Sequence, residues 1–418
     1  MTSLVRDENR IAALGGESTV SRVILPAKIN PTTNRLLTET NIVDSTGTVI
    51  NPATSDNQTN GTQASKFVDE NGTPYGVKHI QNKPRVSSMP YTYDIAEGNV
   101  ANHIPWSKIG YSPAQTAGVN TDIWSYSATQ PVYVFPTTPM GMEVLSSNAA
   151  DTGTVIHTGT STGGSLTSLI STGENFLTTT AIGDVVVLDA SGTSPEYGYI
   201  TAIVSNTELT IANGFSNGGS GSGRAYSIVD TSATAGGQAV EINYLDGDYL
   251  EKREIVILNG TNILSTVNTN LFRINSFRII LAGANKVPTG NMSLRNLANT
   301  PVYSYITAGF NRARNIVYTV PAGKALYVTN FDAGYATTGN ANKEYARITT
   351  RANIDPTTKF MTDSLFYPFT DAVMQQTTVY TKLDIPTKLP AKTDIKVSGI
   401  VSITGIMVCT LRGWLENE

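Results

Sequence analysis

Three histidines, one cysteine and 33 carboxylates are the groups with which this chain of 418 residues could do acid–base, nucleophilic or metal chemistry. His79, His103 and His157 are dispersed, with no cysteine cluster beside them, so no zinc-site spacing is present. Cys409 lies in an apolar run, Ile406-Met-Val-Cys-Thr-Leu411. There a thiol is expected to pack as an inert small hydrophobe, and a lone cysteine gives no disulfide framework within the chain. Asp246 and Asp248 would suit a calcium pair, but the rest of a calcium loop is missing and Asp246-Gly247 reads as a hairpin turn. A phosphate-cradling loop, His-Glu-x-x-His, Cys-x-x-Cys and Gly-x-Ser-x-Gly are all absent from the sequence. A Ser-His-Asp triad or a carboxylate pair for sugar hydrolysis would have to be assembled by folding alone. The expectation is a non-enzyme with no catalytic residue, no cofactor and no metal.

Composition points the same way. Charged residues make up 15% of the chain, against about 25% in ordinary soluble domains. Thr, Ser, Asn and Gly fill the deficit, and such a surface can be buried against neighbours without the large cost of desolvating ions. The net charge of −4 argues against a nucleic-acid partner, which calls for a basic surplus. Arg273, Arg278, Arg295, Arg312 and Arg314 are a candidate basic patch, with solvated or interface-pairing side chains as the plainer reading. No apolar run has the length of a membrane span, so no membrane partner is expected. The first ten residues are charged where a secretion signal is apolar, which suggests synthesis in a cytoplasm without general secretion.

The elements that would position any site are strands. The stretch 316–331 holds two β-rich runs about Pro321-Ala-Gly-Lys324. Pro321 presets the turn and Gly323 tolerates its exit. Candidate partners lie near the C-terminus, at 394–397 and 405–411. Strands joined over such distances suggest a jelly-roll-like sandwich over residues 306–418. Upstream, 140–145, the hairpin 240–245 with 249–258, and 272–281, 292–297 and 302–306 read as strands of a β-sandwich body covering 91–156 and 230–305. Aromatic density rises from Tyr91, through Tyr93, Trp106, Tyr111, Trp124, Tyr126, Tyr133 and Phe135, and the alternation at 124–126 and 132–135 suggests two more strands. Such aromatics are more often core than sugar-binding.

Residues 157–229 have a different texture: short strands at 184–188, 197–204, 208–211 and 224–229, separated by Ser-Gly and Ser-Asn turns. Asp151-Thr152 and Asp230-Thr231 flank them alike. They are expected to form an inserted small SH3-like barrel protruding from its host. Residues 1–90 lack a core pattern. A short helix over 2–14 places Leu4, Ile11 and Leu14 on one face, and 23–37 is extended, with Ile24, Leu25, Ile29, Leu36 and Leu37 as anchors. Residues 44–90 are a long loop with sparse apolar anchors, suited to lying across another subunit. The fold class expected is thus all-β, with an extended N-terminal arm.

Several motifs, in this order, resemble β-rich virion structural proteins of tailed bacteriophages of the capsid-decoration, head-fibre or tail-accessory type. They are Arg6-Asp-Glu-Asn-Arg10, Asn30-Pro-Thr-Thr-Asn-Arg-Leu-Leu37, Met142-Glu-Val-Leu-Ser-Ser147 followed by Asp151-Thr152, Glu251 with Glu254-Ile-Val-Ile-Leu-Asn-Gly-Thr261, Arg273-Ile-Asn-Ser-Phe-Arg278 and Tyr318-Thr-Val-Pro-Ala-Gly-Lys324. The resemblance spans about 6–37 and 140–324, interrupted by the insert. It implies a virion location, assembly in the host cytoplasm, and anchoring by the arm to major capsid or tail proteins. It also implies partnership with other copies of the chain, as a trimer by analogy. The competing class is a receptor- or glycan-binding module displayed on the particle.

Overall fold

The computed structural model describes residues 91–212, 215, 221–337, 346–353 and 378–418, together with the backbone of eight two-residue strands between residues 28 and 84. The chain is all-β, 53% strand and 4% helix. It divides into two units, Met1–Ser88 and Met89–Glu418.

In the first unit β1 (Lys28–Ile29) pairs with β2 (Leu36–Leu37), β3 (Ile42–Val43) with β4 (Val49–Ile50), β5 (Phe67–Val68) with β6 (Pro74–Tyr75), and β7 (His79–Ile80) with β8 (Lys83–Pro84). The helix expected over 2–14, with Leu4, Ile11 and Leu14, lies outside the described residues, as do Ile24 and Leu25.

The second unit opens with a helical turn and a half, α1 (Tyr91–Ala96), and the long edge strand β9 (His103–Gln115). β9 belongs to a sheet of order β28-β26-β30-β9, with β26 (Lys324–Thr337), β28 (Thr378–Leu389) and β30 (Gly405–Asn417). A second sheet has β29 (Asp394–Val401) paired with β10 (Thr121–Asp122), β25 (Val317–Thr319) and β27 (Ala346–Asn353). The two runs about Pro321 therefore part company. β25 pairs with β29, while β26 pairs with β30 along its whole length. Gly323, at φ +71°, makes the corner between the sheets. One core fills the space they enclose: Ile316, Tyr318, Val320, Leu326, Val328, Ile395, Val397, Met407, Cys409 and Leu411. Where β9 crosses this core Gly110 is required, because a Cβ there would lie 2.7 Å from Ile316 Cβ.

A second pair of sheets forms the middle of the chain. One runs β21-β11-β23-β24, from β11 (Met142–Ser146), β21 (Leu264–Ser265), β23 (Met292–Asn296) and β24 (Val302–Ile306). The other runs β20-β19-β22, from β19 (Gly237–Leu245), β20 (Glu251–Ile257) and β22 (Arg273–Ala282). Met142 and Val144 from the first sheet meet Val240, Ile242, Ile274 and Phe277 from the second. The β19–β20 hairpin appears where Asp246-Gly247 predicts it. The Asp246 carboxylate accepts hydrogen bonds from Asp248 N (3.0 Å) and Leu250 N (2.9 Å), so it shapes the turn. Among the described residues no cluster of three or more His, Cys, Asp or Glu has a metal-holding arrangement.

The segment between β11 and β19 is a seven-stranded sheet of order β12-β18-β15-β16-β17-β14-β13. Its strands are β12 (Thr154–Thr160), β13 (Gly163–Ser165), β14 (Ser168–Ile170), β15 (Val185–Leu188), β16 (Glu196–Ser205), β17 (Glu208–Ile211) and β18 (Ala225–Asp230), with α2 (Phe176–Thr179) between β14 and β15. It carries its own core of Leu169, Phe176, Val186, Leu188, Ile200, Leu209 and Ile228. Pairing begins at Thr154↔Asp230, three residues before the start read from the sequence. The opposite face of β15 and β18, with Val185, Val187 and Val229, packs onto Ala239, Ile255 and Leu281 of the middle sheet.

One expectation fails. Residues 124–126 and 132–135 are not strands. Trp124 starts a turn in which Ser127 N donates to Trp124 O (3.1 Å) and Gln130 N to Tyr126 O (2.9 Å), and the indole N–H closes it on Gln130 O (3.0 Å). Pro131 and Pro136 bracket the following segment and withhold the N–H groups a ladder needs.

Candidate functional site

Of the anchors expected in the arm, Ile29 and Leu36 fall opposite each other in the β1–β2 pair, and Leu37 faces Lys28. The structure brings these three into one strand pair.

Of the arginines considered as a basic patch, Arg278 and Arg312 sit opposite each other in an isolated bridge, and most of the group is taken up by partners. Arg273 is buried and makes a bidentate pair with Asp394 (Nε–Oδ1 2.9 Å, Nη2–Oδ2 3.0 Å) while donating to Pro136 O (2.7 Å). Arg278 pairs with Glu241 and Arg295 with Glu143, and Arg314 lies 3.5 Å from the Phe310 ring centroid. The aromatics considered as sugar contacts are also mostly taken up by packing. Trp124 is fully buried, and Trp106 packs edge-on to Tyr318. Tyr91 and Tyr93 are exposed. Cys409 is fully buried, which pushes its thiol pKa far up and keeps it protonated.

Two features that the sequence did not reveal hold the joints. Asp151, fully buried, accepts four hydrogen bonds: Ser146 Oγ (2.5 Å), Gly237 N (2.7 Å), Thr289 N (2.8 Å) and Gly290 N (2.7 Å). It ties the end of β11 to the start of β19 and to the loop before β23. The twin Asp-Thr flanks were its only trace in the sequence. Lys108, half-buried on β9, donates to Asn275 O. Burial, reinforced by Arg312, pushes its pKa down to about 8.

Among the described residues, a cavity lies where the β15–β16 turn overhangs the middle sheet. It holds about 260 Å³. One wall is Thr193, Ser194 and Pro195; the floor is Asn243, Tyr244 and Leu245 of β19; and Glu251, Lys252 and Arg253 of β20 with Asn275 close it. The overhanging turn is held firmly. Arg224 binds Asp189 (3.0 Å), Glu196 (2.8 Å) and Ser194 O (2.6 Å), while Asn268 Nδ2 donates to Ser191 O (3.1 Å). The Tyr244 side chain packs with Val240, Ile242 and Phe277 in the middle core, where burial first, then Glu254 and Asp246, push its phenol up to about 12. The buried Glu241 beneath is paired closely with Arg278 (3.0 Å) and only distantly with Arg253 (3.7 Å).

No family model, no curated protein and no solved structure matches this chain. Among the described residues no helix is long and apolar enough to cross a membrane.

Proposed function

We propose that the chain is a non-enzymatic structural component of a tailed-phage virion, present in several copies, held by its N-terminal arm and reinforcing the capsid or joining tail parts. The observation that carries this reading is the division of the chain. The described elements of Met1–Ser88 are two-residue strand pairs, whereas Met89–Glu418 holds large buried cores. Ordering backbone costs about 1–2 kcal/mol per residue, and the sequence of residues 1–90 sets only sparse apolar anchors against it. A partner surface supplies the rest: other copies of the chain, as a trimer, and the major capsid or tail protein. Within this reading the two C-terminal sheets are a jelly-roll-like sandwich, the middle sheets a sandwich body, and the seven-stranded sheet an SH3-like module inserted into it. The sequence motifs provide the virion context.

The test is deletion of residues 1–40. The truncated chain should keep its cooperative unfolding yet disappear from purified particles. Normal copy number in particles would remove the anchoring role, and a full-length chain found in lysate but never in particles would remove the virion assignment. The second reading, a receptor- or glycan-binding module, is favoured by the cavity between the β15–β16 turn and the middle sheet.

A further inference from the structure

We infer that the cavity under the β15–β16 turn binds a single sugar unit bearing a carboxylate, with Arg253 as its anion fork. This inference stands whether or not the chain is a virion component. The argument begins with an arginine that is under-used. Arg253 sits in the wall, one-third exposed, and its nearest carboxylate is 3.7 Å away, beyond good hydrogen-bond distance. Glu241 does not depend on it, because Arg278 takes that carboxylate at 3.0 Å. A guanidinium presents a planar fork of donors matched to a carboxylate, and among the described residues no closer acceptor for it is found. Lys252, exposed beside it, adds a second positive charge, partly balanced by Glu251, which Lys324 already holds.

The remaining walls suit a polyhydroxylated ring. Thr193 and Ser194 present hydroxyls, and Asn243 spends its amide N–H₂ on Glu241 (2.7 Å), leaving its carbonyl oxygen for a ligand hydroxyl. Pro195 and Leu245 are the apolar part of the lining and suit the C–H face of a ring. A cavity of about 260 Å³ accommodates one ring, not a chain of them. The turn forming the roof is fixed by three bonds from Arg224, so the site is organised before a ligand arrives.

The experiment is titration of the full chain, followed by calorimetry, with D-glucuronate and N-acetylneuraminate as acid sugars. Glucose serves as the neutral ring, acetate as the bare carboxylate and phosphate as the other anion. Binding of at least one acid sugar at millimolar concentration, with glucose, acetate and phosphate each weaker, is the expected result. Arg253→Gln should weaken it by about tenfold or more, the scale of one charged bidentate contact. Arg253→Lys should recover only part, because it restores charge without the fork. Thr193→Tyr, at an exposed position on the roof, should block binding without touching the arginine, and unchanged thermal unfolding confirms that each variant is folded. Glucose binding as tightly as the acid sugars, acetate or phosphate matching them, an Arg253→Gln variant binding as wild type, or no binding by either acid sugar would each overturn the inference.

Discussion

Replacing Asp151 tests the joint between the middle sheets most directly. Its carboxylate is fully buried, and no described cation lies within ion-pair distance of it; three backbone N–H groups and one hydroxyl supply its hydrogen bonds. Asp151→Ala removes all four acceptor contacts. The Ser146 hydroxyl can rotate elsewhere, but the N–H groups of Gly237, Thr289 and Gly290 cannot. Each buried donor left without a partner costs about 1–3 kcal/mol. A water entering the space left by the side chain satisfies one or two of them, which brings the expected loss to about 4 kcal/mol. Asp151→Asn keeps the shape and one acceptor oxygen, yet turns an N–H₂ toward the Ser146 hydroxyl and Gly290 N, so about 2 kcal/mol is expected. Urea unfolding of the full chain reads both values, with the slope unchanged if the folded state keeps its compactness. Amide exchange at Gly237, Thr289 and Gly290 should accelerate in both variants. A loss below about 1 kcal/mol for the alanine variant would refute the reasoning, since it would be less than the cost of even one buried donor left orphaned.

Lys108→Met should raise the melting temperature at pH 7. The folded-state pKa of Lys108, near 8, lies below its ordinary value, so the unfolded chain binds more protons between about pH 8 and 10.5, and wild-type stability rises through that window. The variant's advantage should therefore shrink from pH 8 to pH 10, and a constant advantage would count against a lowered pKa. Arg273→Met alone leaves Asp394 buried without its partner and should cost about 3–5 kcal/mol, whereas Arg273→Met with Asp394→Leu should recover much of it; equal losses in denaturant unfolding would contradict this. Replacing residues 157–229 by a short Gly/Ser linker should leave the middle and C-terminal sheets folded but less stable and more prone to associate. Ala239, Ile255 and Leu281 then lose the cover of Val185, Val187 and Val229, and calorimetry with light scattering reads both effects.

Strands whose two faces differ were legible in the sequence. The hairpin read at 240–245 with 249–258, β17 at Glu208–Ile211 and the partners of 316–331 were found because alternation and Asx-Gly turns are local signals. The aromatic stretch around Trp124 misled for the same reason. It alternates, but its backbone is committed to a turn closed by an indole N–H, a bond no periodicity reveals. The joints were illegible for a different cause. Arg273 and Asp394 are 121 residues apart, and Asp151 and Gly290 are 139 apart. A carboxylate satisfied by backbone N–H groups needs no complementary side chain, so it leaves no pair to find. The arginines followed the plainer of their two readings, as pairing side chains, but their partners could not be read from the sequence. Arginines close in sequence were sent to Glu241, Glu143 and Asp394 on different strands. The cavity went unseen because its walls come from residues 193–195, 243–245, 251–253 and 275, none of them a motif.

The low charge content takes on a second meaning from these joints. On composition alone, 15% charged residues suggest a surface made for packing. Within Met89–Glu418 several of those charges are placed where one set of sheets meets another. Arg273 on β22 meets Asp394 on β29, and Lys108 on β9 meets the backbone of β22 at Asn275, whose side chain in turn bonds Thr319 N (2.9 Å) and O (2.8 Å) on β25. Buried pairs of this kind add little net stability, because desolvation offsets much of the attraction. Their effect is discriminatory: a sheet docked one residue out of register would leave Arg273 or Asp394 charged and unpaired. Apolar contacts such as those of Trp124, Tyr133, Val302 and Val317 hold the same joint together but tolerate sliding. The two kinds of contact divide the work, with apolar area supplying the adhesion and a few buried polar groups fixing the register. A body built this way has its relative sheet positions fixed by a few buried polar groups and held by apolar area.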